Sequence, residues 1–199
     1  MMIDDRLMKQ IAFIHEIDKL KYIQRKTRLF NSTRSENDAE HSWHLAMMTI
    51  ALAEHSNVPI DILKVLKMVL IHDIVEIDAG DVFLYDKTVS HCNTEEERKA
   101  AERIFGMLPS DQSAELLAIW EEFEAGLTAE AKFAKSMDRL EPLLQNISND
   151  GGTWKEYDID YSNVYNTQLI IRDGSTAIWN IAEPMLEDGV KKGFLKKAG

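Results

Sequence analysis

The sequence predicts an all-α protein, a helical bundle with a metal site between its helices. Apolar residues recur at helical spacing along most of the 199 residues, with helix-capping residues before several of these segments and glycine after others. A His-Asp pair follows the most apolar of these segments. Because 45% of the residues are hydrophobic, the chain can build a core of its own. We expect a single domain over residues 1–199, with its core at about residues 7–180 and a frayed tail at 190–199.

The central helix should carry the first metal ligands. Residues 65–71 are apolar in almost every direction around a helix, which predicts burial. His72 and Asp73 follow, Glu76 comes one turn later, and Asp81 lies just beyond Gly80, a residue suited to end the helix. A His-Asp dipeptide alone is weak evidence, but a carboxylate in a buried helix is costly unless it is paired. A divalent metal is a suitable partner for both side chains.

A second helix, capped by Asn37 or Asp38 and running to about residue 55, offers His41. This histidine lies at the end of a buried stripe formed by Leu45, Met48 and Leu52. A lone histidine on such a stripe is more often a hydrogen-bonded core residue than a ligand, but the neighbouring candidate site favours a ligand. Glu40 could orient a ligand or only favour the start of the helix.

Asp138 is the candidate on a later helix that begins at Thr128. It shares a face with Ala131 and Ala134, two small residues that leave room for another group to approach. The alternative is an exposed aspartate. A last helix is expected from about residue 163 to 185, and residues 147–162 should be irregular.

The N-terminal part combines an amphipathic helix with a basic connector. The helix, at residues 3–21, has an apolar stripe of Ile3, Leu7, Ile11, Ile14 and Ile17. The connector includes Arg25, Lys26, Arg28 and Arg34 and leads into a loop at residues 31–38. The connector is either solvated or a phosphate clamp, since arginine offers donors that match phosphate oxygens. Tyr85, Asp86 and His91 could line a pocket, although no spacing argument supports them.

Composition excludes several classes of function. A net charge of −11 argues against binding long nucleic acid, but it allows a small phosphate ligand beside a bound cation. Cys92 is the only cysteine, so no internal disulfide can form, and we expect a reducing, cytoplasmic location. The first residues do not have the pattern of a secretory signal, and no apolar run is long enough to span a membrane.

The order of the four candidate ligands, H…HD…D, resembles the HD-domain superfamily of metal-dependent phosphohydrolases. Further segments are similar to the branch that contains the 5′-deoxynucleotidases: EHSWH at 40–44, IHDIVEIDAGD at 71–81, MDRLEPLL at 137–144, LKYIQR at 20–25 and RSEN at 34–37. The similarity extends over roughly residues 7–180. The combined motif is specific for the superfamily, and it is less specific for the branch and for the substrate.

The resemblance implies an HD-domain helical bundle and a role for each matching residue. The metal ligands would be His41, His72, Asp73 and Asp138. Glu76 and Asp81 would be the catalytic acids near the attacking water and the scissile phosphate, and Arg25 would contact the substrate. Lys26 departs from the branch, which carries an aromatic residue there, so sugar discrimination stays open. Members of this branch tend to be homodimers.

The ligand chemistry agrees with this function. Two imidazoles and two carboxylates suit Mn, Co, Fe, Ni or Zn better than Mg, and one such divalent ion can activate water and polarise a phosphoryl group. Because no motif surrounds a serine or cysteine nucleophile, we expect direct attack by water. The resemblance implies that the substrate is a (deoxy)nucleoside 5′-monophosphate. The alternatives are an HD phosphohydrolase acting on a phosphodiester or nucleoside polyphosphate, a non-catalytic nucleotide-binding protein and a purely structural metal site.

Overall fold

The computed structural model of the protein describes residues 4–86 and 95–197, which are predominantly helical. The helices are α1 (Asp5–Ile17), α2 (Asp38–Leu52), α3 (Ile62–Ile71), α4 (Glu76–Ala79), α5 (Glu95–Phe105), α6 (Ser110–Ala125), α7 (Ala129–Ser148), α8 (Gly152–Glu156), α9 (Tyr161–Gln168), α10 (Ile171–Gly174) and α11 (Thr176–Lys191). Short 3-10 segments follow the first three of these, at Asp18–Tyr22, Ala53–His55 and His72–Val75. The predicted all-α class is confirmed. Among the helices of the described residues, none has the length and apolarity needed to cross a bilayer.

Side-chain caps begin the helices that carry the site. Asn37 accepts a hydrogen bond from the backbone N–H of Glu40, whose carboxylate accepts one from the N–H of Asn37, so α2 begins with a capping box. Asp61 caps α3 and Thr128 caps α7, as their side chains predict. Gly80 ends α4 with φ of 79°, a conformation that favours glycine, and the chain then turns so that Asp81 lies next to the cavity described below.

Helix α7 lies at the centre of the bundle and contacts α2, α3, α6 and α10. Its Ala131, Phe133 and Ala134 are fully buried. Val65 and Val69 of α3 and Leu45 of α2 are equally buried, so the apolar stripes of the three helices face one another. This packing brings together the helices that carry His41, His72 and Asp138.

The basic connector forms a β-hairpin, in which the Arg25 side chain is largely buried while Lys26 and Arg34 are exposed to solvent. Strands β1 (Gln24–Arg28) and β2 (Ser35–Asn37) pair antiparallel. Inside the hairpin, Thr27 donates a hydrogen bond to Glu36 at 3.0 Å. The sequence did not predict these strands because their side chains are polar or charged and lack the apolar alternation that signals a strand.

Two expectations about the ends of the chain differ from the structure. The apolar stripe of α1 is largely exposed: Leu7 is 52% and Ile14 61% accessible, while Ile3 lies outside the described residues. At the other end, the expected frayed tail at 190–199 is wrong for its described part. Leu195 is 3% exposed, and the carbonyl of Lys196 accepts a hydrogen bond from the N–H of Tyr161. An apolar anchor and a backbone bridge therefore hold this tail.

The expected last helix at 163–185 is three helices, α9, α10 and α11. The chain leaves the helical conformation at Ser175, with φ of −151° and ψ of 103°. The preceding Gly174 allows α10 to pack closely against α7, since a Cβ there would lie 2.2 Å from the Ser136 hydroxyl. Ser175 then caps α11 by accepting a hydrogen bond from the N–H of Ile178.

Candidate metal centre and its cavity

Four predicted ligands from three different parts of the chain lie together in the structure. Nε2 of His41 is 3.1 Å from Oδ1 of Asp138, and Nε2 of His72 is 3.7 Å from the same oxygen. Asp73 places its Oδ1 3.0 Å from Nε2 of His72. None of the four residues is more than 8% exposed. The arrangement is a compact set of two nitrogen and two carboxylate donors.

The groups next to Nδ1 of the two imidazoles favour the tautomers that metal ligation requires. Nδ1 of His72 is 3.0 Å from the carbonyl of Val69, so it carries the proton and donates. Nδ1 of His41 faces the carboxylates of Glu36 and Glu141 at 3.5 and 3.4 Å. Both Nε2 atoms then point their lone pairs towards carboxylate oxygens. Such an arrangement needs a cation or additional protons between the donors, so the donor set fits a divalent metal.

A second group of acids adjoins the four ligands and surrounds Arg25. Its guanidinium Nη1 is 2.8 Å from Asp73, 3.2 Å from Asp38 and 3.7 Å from Asp81. Oxygens of Asp38, Asp73 and Glu76 all lie within 4.8 Å of one another. Arg25 therefore neutralises carboxylates beside the candidate ligands, and it also lines the cavity next to them.

The burial and the charges of this site raise the pKa values of three of its members. Burial favours neutral His72, but the charge of Asp73 and the neighbouring Asp138 outweigh it and raise the pKa of His72 to about 9. Burial raises the pKa of Glu76 well above its usual range, and the charge of Asp73 adds to this effect. The pKa of Asp38 rises to about 6 for the same two reasons. The site therefore holds protons on Glu76 and Asp38 more tightly than exposed carboxylates would.

Metal binding should tighten as pH rises towards 9, because the metal must displace the proton of His72. The pKa of this residue in the metal-free fold, about 9, exceeds the value of about 6.5 expected in the unfolded chain. The proton therefore stabilises the metal-free fold below pH of about 6.5, and this contribution is lost as pH rises to about 9. We expect the apparent Kd for Zn²⁺ or Mn²⁺ to fall about tenfold per pH unit for each proton displaced. Isothermal titration at several pH values measures this, and a pH-independent Kd would contradict it.

A cavity of about 390 Å³ opens beside the candidate ligands, within the range of small-molecule sites. His72, Asp73 and Asp138 form part of its wall, as do Glu76 and Asp81. Its cationic lining residues are Arg25, Lys26, Lys135 and Arg139. Arg139 donates from Nη1 to Asp138 Oδ2 at 3.0 Å, which leaves Oδ1 of that carboxylate facing the two histidines. The cavity can therefore receive an anionic ligand next to the metal ligands.

Sequence reasoning missed three carboxylates of the site: Glu36, Asp38 and Glu141. Asp38 was considered only as a cap, but Asn37 provides the cap and Asp38 is fully buried beside Arg25. Glu141 lies one turn after Asp138 on α7, a spacing that could have identified it. Glu40, a candidate to orient a ligand, instead forms an ion pair with Arg34 at 2.9 Å. The residues that face His41 Nδ1 are the two glutamates of the hairpin and of α7.

Three further residues, Tyr85, Asp86 and His91, were named in the sequence analysis as residues that could line a pocket. Tyr85 lines the cavity. Asp86 is described but is not among the residues that line the cavity. His91 and Cys92 lie outside the described residues.

Comparisons with known proteins agree with this arrangement. The family model described as HD domain matches residues 17–179. A crystal structure titled as a predicted metal-dependent phosphohydrolase from Magnetospirillum magnetotacticum MS-1 superposes with a TM-score of 0.91 at 48% identity, covering 96% of each chain. A conserved hypothetical protein from Pyrococcus furiosus has a TM-score of 0.60 at 25% identity, covering 87% of this chain and 99% of that one.

Curated relatives are similar over a shorter segment. The 5′-deoxynucleotidase HDDC2 of Bos taurus is 29% identical over 137 residues, and that of Homo sapiens is 29% identical over 136 residues. Each alignment includes 68% of this chain and 65% of the relative, so the chain spans just under two thirds of the length of these relatives. The family match covers most of the chain and includes all four candidate ligands. The chain belongs to the HD domain family.

Proposed function

We propose that this protein is a metal-dependent phosphohydrolase that releases inorganic phosphate from (deoxy)nucleoside 5′-monophosphates by attack of water. One observation carries the proposal: two histidines and two aspartates converge, and three of them, His72, Asp73 and Asp138, line a cavity that also presents Glu76 and Asp81. The similarity to a structure titled metal-dependent phosphohydrolase and to relatives named 5′-deoxynucleotidase supports the reaction and the substrate class.

The residues that would hold the metal are His41, His72, Asp73 and Asp138. A divalent cation held there supplies Lewis-acid chemistry, which lowers the pKa of water and polarises a phosphoryl group. Glu36 and Glu141 would keep the proton of His41 on Nδ1, so that Nε2 is free to bind. Mixed nitrogen and oxygen donors suit Mn, Co, Fe, Ni or Zn better than Mg.

Glu76 and Asp81 are the proposed proton carriers. Burial raises the pKa values of both carboxyls, so each holds a proton more tightly than an exposed carboxyl and can release it when local positive charge increases. One would take the proton of the attacking water, and the other would supply a proton to the leaving oxygen. Oε2 of Glu76 is buried without a hydrogen-bond partner among the described residues, so it is free to accept one from water.

The cations of the cavity are proposed to position the phosphate. Arg25 reaches the cavity wall while it binds Asp38 and Asp73, so it would place positive charge near both the phosphate and the proton carriers. Arg139 and Lys26 also line the cavity and could neutralise the remaining phosphate charge. A contact between Arg25 and the substrate, a homodimer and a cytoplasmic location stay predictions.

Phosphate release from a panel of nucleotides tests the proposal. We expect metal-stripped protein to hydrolyse deoxynucleoside 5′-monophosphates once Mn²⁺, Co²⁺ or Zn²⁺ is restored, with Mg²⁺ less effective because of the two histidine ligands. The matched ribonucleotides, assayed in parallel, show whether Lys26 alters the choice of sugar. Diphosphate, triphosphate or a nucleotide as product would contradict the monoesterase. No release with any metal would favour the binding protein or the structural site.

A further inference from the structure

The cavity continues from the metal centre along α7 towards a second set of polar residues. Asp138 and Asn146 both line it, and eight residues of helix separate them by about 12 Å. Asn146 accepts hydrogen bonds from the N–H and hydroxyl of Thr153, at 2.7 and 2.9 Å. Trp154 follows directly and lines the same wall. This distal end of the cavity is therefore formed by α7, α8 and the residues packed on them.

Two polar groups at the distal end make no hydrogen bond of ordinary geometry within the described part of the chain. Oε1 of Gln168 is buried without a hydrogen bond among the described residues, although the residue is only 1% exposed. The hydroxyl of Tyr85 is likewise buried, with Gln168 and Trp154 as neighbours but no hydrogen bond of ordinary geometry. Asn146 and Thr153, by contrast, satisfy each other. Since an unpaired buried polar group is costly, the unmatched pair has the character of a recognition site.

We propose that Gln168 and Tyr85 recognise the hydrogen-bonding edge of the nucleobase, at the end of the cavity opposite the metal ligands. This inference rests on the proposed function. A nucleoside monophosphate carries its phosphate and its base at opposite ends, so phosphate at Asp138 directs the base along α7. A glutamine amide offers both a donor and an acceptor, the combination that matches the edge of a base.

Aromatic side chains near this end suit the faces of a base. Phe83 and Tyr85 both line the cavity, with ring centroids 5.5 Å apart at 70°. Tyr157 extends the cluster, with its centroid 4.7 Å from that of Phe83. Aromatic rings stack on any base, whereas hydrogen bonds to Gln168 and Tyr85 would depend on which base is bound. The distal end therefore combines general affinity with selection of the base.

The test compares a nucleotide with a substrate that lacks the base. Gln168→Met and Tyr85→Phe keep side-chain size but remove the hydrogen-bonding groups. The quantity measured is kcat/KM for the preferred deoxynucleoside monophosphate divided by kcat/KM for 2-deoxyribose 5-phosphate. We expect each variant to lower this quotient by about three- to tenfold. The loss should arise through KM, as it does when binding is removed equally from ground and transition states. Tyr165→Phe is the matched control, since its hydroxyl donates to Glu183 at 2.9 Å and the residue is not part of the cavity lining.

An equal loss on both substrates, or no loss on either, would overturn the proposal. If Gln168→Met fails to fold, as judged by thermal unfolding, the result for Tyr85→Phe decides. If the wild-type protein hydrolyses neither substrate, the proposed function fails, and equilibrium binding of the two compounds still tests the base site. The base site is supported if the nucleotide binds more tightly than 2-deoxyribose 5-phosphate and Tyr85→Phe weakens its binding. Equal binding of the two compounds would refute the base site.

Discussion

Replacing Asp73 by alanine should abolish phosphate release and most of the metal binding. Asp73 lies 3.0 Å from Nε2 of His72 and 2.8 Å from Nη1 of Arg25, so its loss removes a proposed ligand and leaves the arginine with one fewer counter-charge. We expect kcat/KM to fall by more than about 100-fold. A loss of about 100-fold is the largest effect expected when only a residue that hydrogen-bonds to a metal ligand is removed, and Asp73 is itself a proposed ligand. Phosphate release and bound metal per chain, measured on the same preparation, check this result.

Two further variants separate ligation from local structure. Asp73→Asn keeps the shape but removes the charge, so it should also lose metal. Glu36→Gln changes a partner of His41, 3.5 Å from Nδ1, rather than a proposed ligand, and should weaken metal binding by about 10- to 100-fold. Thermal unfolding establishes that each variant is folded. Full activity with one bound metal per chain in Asp73→Ala would contradict the proposed ligand set.

Glu76→Gln should lower kcat by about 100- to 10,000-fold while the metal stays bound. The amide keeps the size of the side chain but cannot carry the proton that burial and the charge of Asp73 hold on Glu76. Because Glu76 is proposed as a proton carrier rather than a ligand, the apparent Kd for metal should change by less than about tenfold. Single-turnover phosphate release and metal titration measure the two effects separately.

A nearby acid provides the control for Glu76. Asp78 lies on the same short helix, α4, but it is exposed and forms an ion pair with Arg103. Asp78→Asn should leave phosphate release close to the wild-type rate. If Glu76→Gln is as active as Asp78→Asn, Glu76 is not the proton carrier. A site that only holds the helices together predicts that outcome, together with unfolding on chelation.

Local rules predicted the features that depend on neighbouring residues in the chain. Helical periodicity and caps placed α2, α3 and α7, because Asn37, Asp61 and Thr128 satisfy N–H groups within their own first turns. The four proposed ligands were identified from helical spacing and from a motif. Both signals lie in the order of residues, so no knowledge of the packing was needed to find them.

The roles that depend on contacts between distant residues could not be predicted in the same way. Glu36 and Glu141 are 105 positions apart, yet both face Nδ1 of His41. The hairpin that carries Glu36 has too little apolar alternation to be predicted as two strands. The apolar stripe of α1 was predicted from its spacing, but it is largely exposed. An amphipathic pattern indicates a helix but does not show whether another element covers the apolar face of that helix.

The sequence by itself determined the helical class, where the helices around the site begin and the identity of the four candidate ligands. Only the tertiary structure decided that Arg25 lies among carboxylates, that Asp38 is buried, and that Gln168 and Tyr85 share a cavity with three of the candidate metal ligands. The physical reason is the separation along the chain over which each interaction acts. Periodicity and capping act over a few residues, whereas the cost of burying a charge or an unpaired amide depends on groups that only folding brings near.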